Sequence, residues 1–394
     1  MNQETKICQN CQKEFTVEPE DFEFYEKIKV PTPTFCPECR MIRRMCFRNE
    51  HFLYKRKDSL TGEIIFSTFS ELSPIKVYKK DYWWSDQWDP MDYGQDYNWN
   101  KSFFEQFREL SLEVPWFSRS IMNLVNSDYC ANASDLKNCY LLFDSGPDTE
   151  NCAYGAMVNY SKDSFDNYQL HSSELCYDCF MVYKSYRIFF SAHCYNCQDV
   201  YFSQNLNNCQ NCFACVNLRN RQYYIFNQPY LKKEYFQKLK KFNIGSYKNT
   251  LEFIQKLKEF QSKFIYKNMH GKKNINVNGD YINYSKNVSN SFMINNAEGC
   301  KYCFNLNVGP VKDSYEYNGW GENAELIYES NQTGNNIFRL KFCFMCYPND
   351  YDLEYCIMCV SSSNLFGCVG LRHKQYCILN KQYTKEEYEE LVPK

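Results

Sequence analysis

The chain has 394 residues and a formal net charge of −2, with no run of 18 apolar residues. Near-neutrality excludes a global pull toward nucleic acid or anionic lipid, and the missing apolar run excludes a membrane-spanning helix. The opening MNQETKICQNCQ has no apolar core, so it is no secretory signal and a cytoplasmic location is expected. There the 23 cysteines, an odd number, stay largely reduced. They point to metal ligation, to small buried packing, or to both. Richness in Lys, Asn, Tyr, Phe and Ile reads first as coding bias, so the 34 tyrosines alone do not mark a stacking surface.

Residues 1–57 form the first unit. Cys8 and Cys11 make one Cys-x2-Cys pair, and Cys36 and Cys39 make a second. Two such pairs offer four thiolates to one tetrahedral zinc ion, because the spacing lets a tight knuckle turn both sulfurs the same way. The interval between them reads as short extended segments broken by proline. After Cys39 the pattern turns helical, with Arg40, Arg43, Arg44 and Arg48 on one face and Met41 and Met45 on another. A knuckle, a hairpin and a second pair opening a helix make a treble-clef-like zinc finger. Its arginine face is a candidate nucleic-acid-binding surface. The competing reading is a solvated face paired with Glu18, Glu20, Asp21, Glu23 and Glu26 of the same unit.

The runs ICQNCQKEF, FYEKIKVPTPTFCPECRMIRRMCFRNEHFLYKRK and CVGLRHKQYCILNKQYTKEEYEEL resemble the two ends of an uncharacterised Cys-rich bacterial family. That family carries no established activity. The resemblance implies a second zinc ribbon after the head, with one Cys-x2-Cys before a glycine and one before Trp-Trp. This chain has Asp58-Ser-Leu-Thr61-Gly62 and Lys79-Lys-Asp-Tyr82-Trp83-Trp84 there, so all four thiols are absent. A metal-less ribbon held by packing is expected.

Residues 58–128 form a metal-less, ribbon-like, acidic and aromatic connector. TGEIIFSTF and IKVYKKDYWW alternate as strands do. Ser102 to Leu112 has helical spacing, and the stretch around it is acidic and aromatic. Its carboxylates read as a charged surface facing the basic head.

Two β halves follow, 129–230 and 276–394, the second ending in a capping helix. FACVNLRNRQYYIFNQPYLKKEY at 213–235 returns as FGCVGLRHKQYCILNKQYTKEEY at 366–388, with 13 of 23 positions identical. This is an internal duplication. Short Cys-, Phe-, Tyr- and Val-rich beats recur at about 15 to 22 residues, separated by Asn, Asp, Ser or Gly. The fold class is therefore mainly β: the zinc finger, then a duplicated parallel β-helix-like solenoid with a basic helical insert between its halves. Asn and Asp suit the corners, since both tolerate left-handed backbone. Seven further Cys-x2-Cys pairs lie in the halves, at 176/179, 194/197, 209/212, 212/215, 300/303, 343/346 and 356/359. Residues i and i+3 of a strand face opposite sides, so both thiols point inward only across a corner. Stacked core cysteine is favoured there over extra zinc. His171, His193, His270 and His373 show no ligand spacing. Asp144, Asp148, Asp163, Asp166 and Asp313 are the acids that a β-helix carbohydrate enzyme would use, but nothing pairs them beyond their place in turns.

Between the halves, residues 231–275 form a lysine-rich helical hairpin that breaks at Gly245-Ser246. Leu251, Ile254, Leu257, Phe260 and Phe264 make its apolar stripe. Lys248, Lys256, Lys258 and Lys263 form its basic face, a second candidate for nucleic acid. The combined reading is a zinc-binding, non-enzymatic interaction or scaffold protein. The partner is a nucleic acid, a ribonucleoprotein surface or another protein, and not a membrane. The alternative is a thiol-based metal-handling or cluster-scaffold protein.

Overall fold

The computed structural model describes residues 3–49, 51–243, 245–306, 311–312, 315–316, 318–319, 327, 329–331 and 334–394. Its body is a right-angled staircase of backbone. Parallel bridges join residues 12 apart, as in Asp128↔Tyr140, Lys162↔Glu174 and Val360↔Arg372. The strand pairing repeats the step, with Tyr186↔Gln198 followed by Gln198↔Gln210. This is a β-solenoid of about 20 turns.

The unit inside each turn is a triplet. One residue takes left-handed backbone, the next points inward and the third points outward. Asn196, Asp199, Phe202, Asn205, Asn208 and Asn211 all have φ near +50°, and Cys197, Val200, Ser203, Leu206, Cys209 and Cys212 follow them into the core. Four triplets make one square turn. The beats of about 15 to 22 residues are thus corrected to a 12-residue turn, widened to 14 at Lys301↔Tyr315 and to 13 at Asn331↔Phe344.

The core is narrow, so only small or slender side chains fit it. Inward serines also complete the ladder. Ser185 Oγ donates to the Tyr183 carbonyl at 2.8 Å and accepts the Cys197 N–H at 3.0 Å. Such bonds remove the cost of burying a hydroxyl.

The solenoid begins at Ile121, whose strand pairs with Ala133–Lys137. Its two halves lie side by side and run in opposite directions. Met157, Met181 and Met293 pack together between them, and Ser120, at the start of the first half, meets Tyr347 far along the second at 3.2 Å. Helices α1 (Pro19–Lys27) and α2 (Pro37–Met45) belong to the head. α3 (Lys80–Trp83) and α4 (Phe103–Glu113) belong to the connector. α5 (Lys232–Lys240) and α6 (Tyr247–Gln261) close the first half, and α7 (Lys385–Leu391) closes the second.

Of the extended segments expected between the cysteine pairs, Glu14–Val17 is a strand, and α1 takes the place of the next. Pro19 opens it, and Asp21 accepts the Glu18 N–H at 3.0 Å, a reciprocal cap with strong local pull. In the connector only Val77–Tyr78 of IKVYKKDYWW is strand, and Lys80–Trp83 turns into helix. In α6 the stripe rotates slightly: Phe253 meets Phe202 and Phe213, while Leu251 is exposed.

The seam between halves holds two stacked imidazoles, His193 and His270, with centroids 5.0 Å apart and Tyr281 stacked on both. Burial first, then His270 and Lys267, hold the His193 pKa down to about 4, with Asp280 opposing. The unfolded chain takes up that proton near pH 6.5 and the folded chain does not, so stability falls as pH drops from 6.5 toward 4. The loss is about 2 kcal/mol after allowance for partial exposure. Melting curves of wild type and His193→Phe between pH 7 and 4 check this. The wild type should lose more, and equal slopes would refute it.

Candidate metal centre

Strands β1 (Glu4–Ile7) and β2 (Glu14–Val17) pair as a hairpin, and Cys8 and Cys11 sit in the knuckle between them. Cys36 caps the start of α2 and Cys39 lies in its first turn. The four Sγ atoms all lie within 4.8 Å of one another, and Cys11 and Cys36 are 3.7 Å apart. Sulfurs about 2.3 Å from a tetrahedral zinc are about 3.8 Å apart, so the donor set fits such an ion. Second partners orient the thiols: the Cys36 N–H donates to Cys8 Sγ at 3.2 Å, and Asn10 donates to Cys39 Sγ at 3.3 Å. Burial opposes the Cys8 thiolate, but N–H groups of Cys11, Cys36 and Asn10 outweigh it and bring its pKa to about 6. These four cysteines are the one group of this kind among the described residues.

The arginine face does not meet solvent. α2 lies against the second solenoid half, where Arg40 and Arg44 are buried and ion-paired with Glu316. Arg44 also donates to Asn318, and Asn331 donates to the Arg44 carbonyl at 2.8 Å. Arg43 is half exposed and pairs with Glu329, and Arg48 reaches Asp144 of the first half at 3.7 Å. Burial works against the Arg40 charge, but Glu316 more than offsets it. Phe24 of α1 stacks on Tyr315 at 3.8 Å. The helix that carries two metal ligands thus also docks the head, and its arginines are not arranged to meet successive phosphates. Asp21, one of the head acids considered as their partner, instead binds Lys301 of the solenoid at 2.7 Å.

The lysines of the insert are different. Lys248, Lys256, Lys258 and Lys263 are all exposed on α6 and the turn after it.

Where the resemblance implies a second metal, a carboxylate ties the loops instead. Asp58 is buried, and its Oδ1 accepts the N–H groups of Leu60 and Thr61, each at 2.8 Å. Its Oδ2 accepts the Lys79 N–H at 2.5 Å. Hydrogen bonds, beside the packing of Trp83 on Phe117, hold this connector.

The seven later Cys-x2-Cys pairs occupy inward sites of successive triplets, and all their cysteines are buried. Their sulfurs donate to carbonyls two residues back, as Cys197 does to Tyr195 at 3.3 Å. Cys212→Ala should leave metal content unchanged and cost about 1 kcal/mol, the value of one lost small apolar group. Metal analysis and denaturant melts of that variant check both.

The acids stay apart. Asp163 accepts a bond from Asn151 at 2.9 Å, Asp148 sits exposed at a corner, and Asp144 faces Arg48. Asp166 lines an open cleft with Asp178. Asp313 lies outside the described residues. Sequence reasoning missed Glu316, Glu329, Asn318 and Asn331, the sockets for α2, because nothing local distinguishes them from other turn residues.

No family model matches the chain, and no curated protein matches it. Among solved structures, the chain is similar to a crystal structure of a provisionally assigned acetyltransferase from Desulfovibrio desulfuricans G20. That similarity has 12% identity, covers 59% of this chain and 66% of the other, and has a TM-score of 0.14. At that score it carries no argument about fold or activity.

Proposed function

We propose that this chain is a zinc-binding, non-enzymatic interaction scaffold in which the metal is structural. The observation that carries the reading is that one helix, α2, both holds two of the four thiols and inserts Arg40 and Arg44 into the solenoid. Zinc bound there would fix the start of α2 and so the docking of the head. The head is treble-clef-like in this reading: hairpin, knuckle and a helix opened by the second pair. The two halves are copies of one ancestor. In support, Asn227 brackets the backbone of Val216 at 2.9 Å on both sides, and Asn380 does the same to Val369 at 2.8 Å.

A nucleic-acid or ribonucleoprotein partner would now engage the exposed lysines of α6 rather than the arginines. The metal-handling alternative is weakened by the inward, hydrogen-bonded state of the later thiols. The test is a tagged pull-down from the native cell with nuclease-treated and untreated arms. Capture of a defined partner supports the scaffold, and loss of capture on nuclease treatment assigns it to nucleic acid. Capture of nothing in either arm counts against the scaffold.

A further inference from the structure

A cleft of about 830 Å³ runs along the outside of the first solenoid half. It starts at His51 and ends against α6 at Leu257 and Lys258. Phe143, Ala156, Tyr168, Phe180, Ala192 and Gln204, one from each of successive turns, follow its length. At about 4.8 Å per turn those five steps span about 24 Å. That length accommodates about seven residues of extended chain.

The surface of the cleft is aromatic and acidic. Tyr168 and Phe180 stack at 5.6 Å, and Phe190 stacks at 4.8 Å on Phe202, which is itself buried beneath α6. Tyr154, Tyr168 and Phe180 leave 53%, 37% and 39% of their surfaces in solvent. So many exposed rings in a row mark a contact surface. Asp166 and Asp178 stand at the same corner of adjacent turns, both exposed to the cleft. Burial first and then Asp166 push the Asp178 carboxyl up, and no base offsets them. The lining's one lysine, Lys258, stands at the far α6 end.

We infer that this cleft binds an extended arginine- or lysine-rich segment of a partner protein. Ring faces attract cations, guanidinium most of all, and the paired carboxylates accept its N–H groups. The same carboxylates repel phosphate, so the cleft is not a nucleic-acid groove. This inference rests on the scaffold reading and names the partner chemistry of one surface.

The experiment uses the full-length zinc-loaded protein and a fluorescein-labelled nona-arginine peptide, read by anisotropy. Parallel arms use nona-glutamate, a neutral hexasaccharide and a single-stranded RNA oligomer. Asp166→Asn with Asp178→Asn should weaken peptide binding by about tenfold or more, the value of losing two charge-assisted contacts. Glu386→Gln with Glu389→Gln removes the same charge from α7 and should change binding by less than about twofold, as remote rim charges do. Equal losses in the two double variants would overturn the proposal, as would no binding of nona-arginine or preferential binding of the saccharide. If the pull-down still captures its partner with the Asp166→Asn, Asp178→Asn variant, this inference fails while the scaffold reading stands.

Discussion

Cys39→Ser should release the metal and free the head from the solenoid. The substituted hydroxyl is a poor zinc ligand at neutral pH, and three thiolates hold the ion far less tightly than four. The consequence reaches beyond the site because Cys39 and Arg40 are adjacent on α2. Without the ion, the knuckle at Cys8 and Cys11 no longer fixes the start of that helix. Limited proteolysis should then cut within residues 1–57 while the solenoid resists. Its own core of Cys, Leu, Val and Ile columns is separate from the head. Retention of one full equivalent of zinc by the variant would refute the ligand assignment. Zinc loss with an unchanged cleavage pattern would refute the coupling.

Glu316→Ala should destabilise the docked head by about 3–5 kcal/mol, the cost of leaving a buried charge without its partner. Glu316 is fully buried and receives both Arg40 and Arg44. Glu329 is a weak substitute, since its nearest approach to Arg40 is 3.7 Å. Burial and Glu316 itself push the Glu329 carboxyl up, with Arg43 opposing. Arg43→Ala is the contrasting case. Its own side chain is 46% exposed, and Glu329, though buried, keeps Arg40 at 3.7 Å and Arg44 at 4.0 Å, so losing this pair should cost about 1–2 kcal/mol. Chemical denaturation followed by head-specific proteolysis measures both. Equal effects of the two substitutions would show that the buried network is not what seats the head.

Part of this architecture was legible in the sequence because its signals are local. Cys8, Cys11, Cys36 and Cys39 announce a four-thiolate site through spacing alone. Asn and Asp between short β beats announced corners, and corners imply a solenoid. Thr384 with Glu387 at the start of α7 was a readable cap, and the pair bonds reciprocally, at 2.8 and 3.2 Å.

What escaped has physical reasons. The left-handed corner of each triplet accepts Leu141, Tyr154, Met157 and Phe190 as well as Asn and Asp. Ordinarily such residues avoid that backbone, at about 1–2 kcal/mol each. The continuous ladder offsets the strain, so the corner marker is missing from many turns and the period reads too long. The triplet also places cysteines at the spacing of zinc ligands for reasons of packing. Position alone therefore did not separate Cys209 and Cys212 from Cys36 and Cys39. The fate of the arginine face was not local at all. Arg40 meets its partner across 276 positions of sequence, and no reading of α2 by itself distinguishes a solvated basic face from one plugged into acids.

Elemental analysis of the full-length protein, purified anaerobically, is the most direct single measurement. The chain should carry one zinc, bound by Cys8, Cys11, Cys36 and Cys39, and its remaining cysteines, apart from the exposed Cys46, should titrate as free thiols only after denaturation. Three or more metal ions per chain, or a visible charge-transfer band from a thiolate cluster, would contradict a solenoid packed with inert cysteine and a single structural ion.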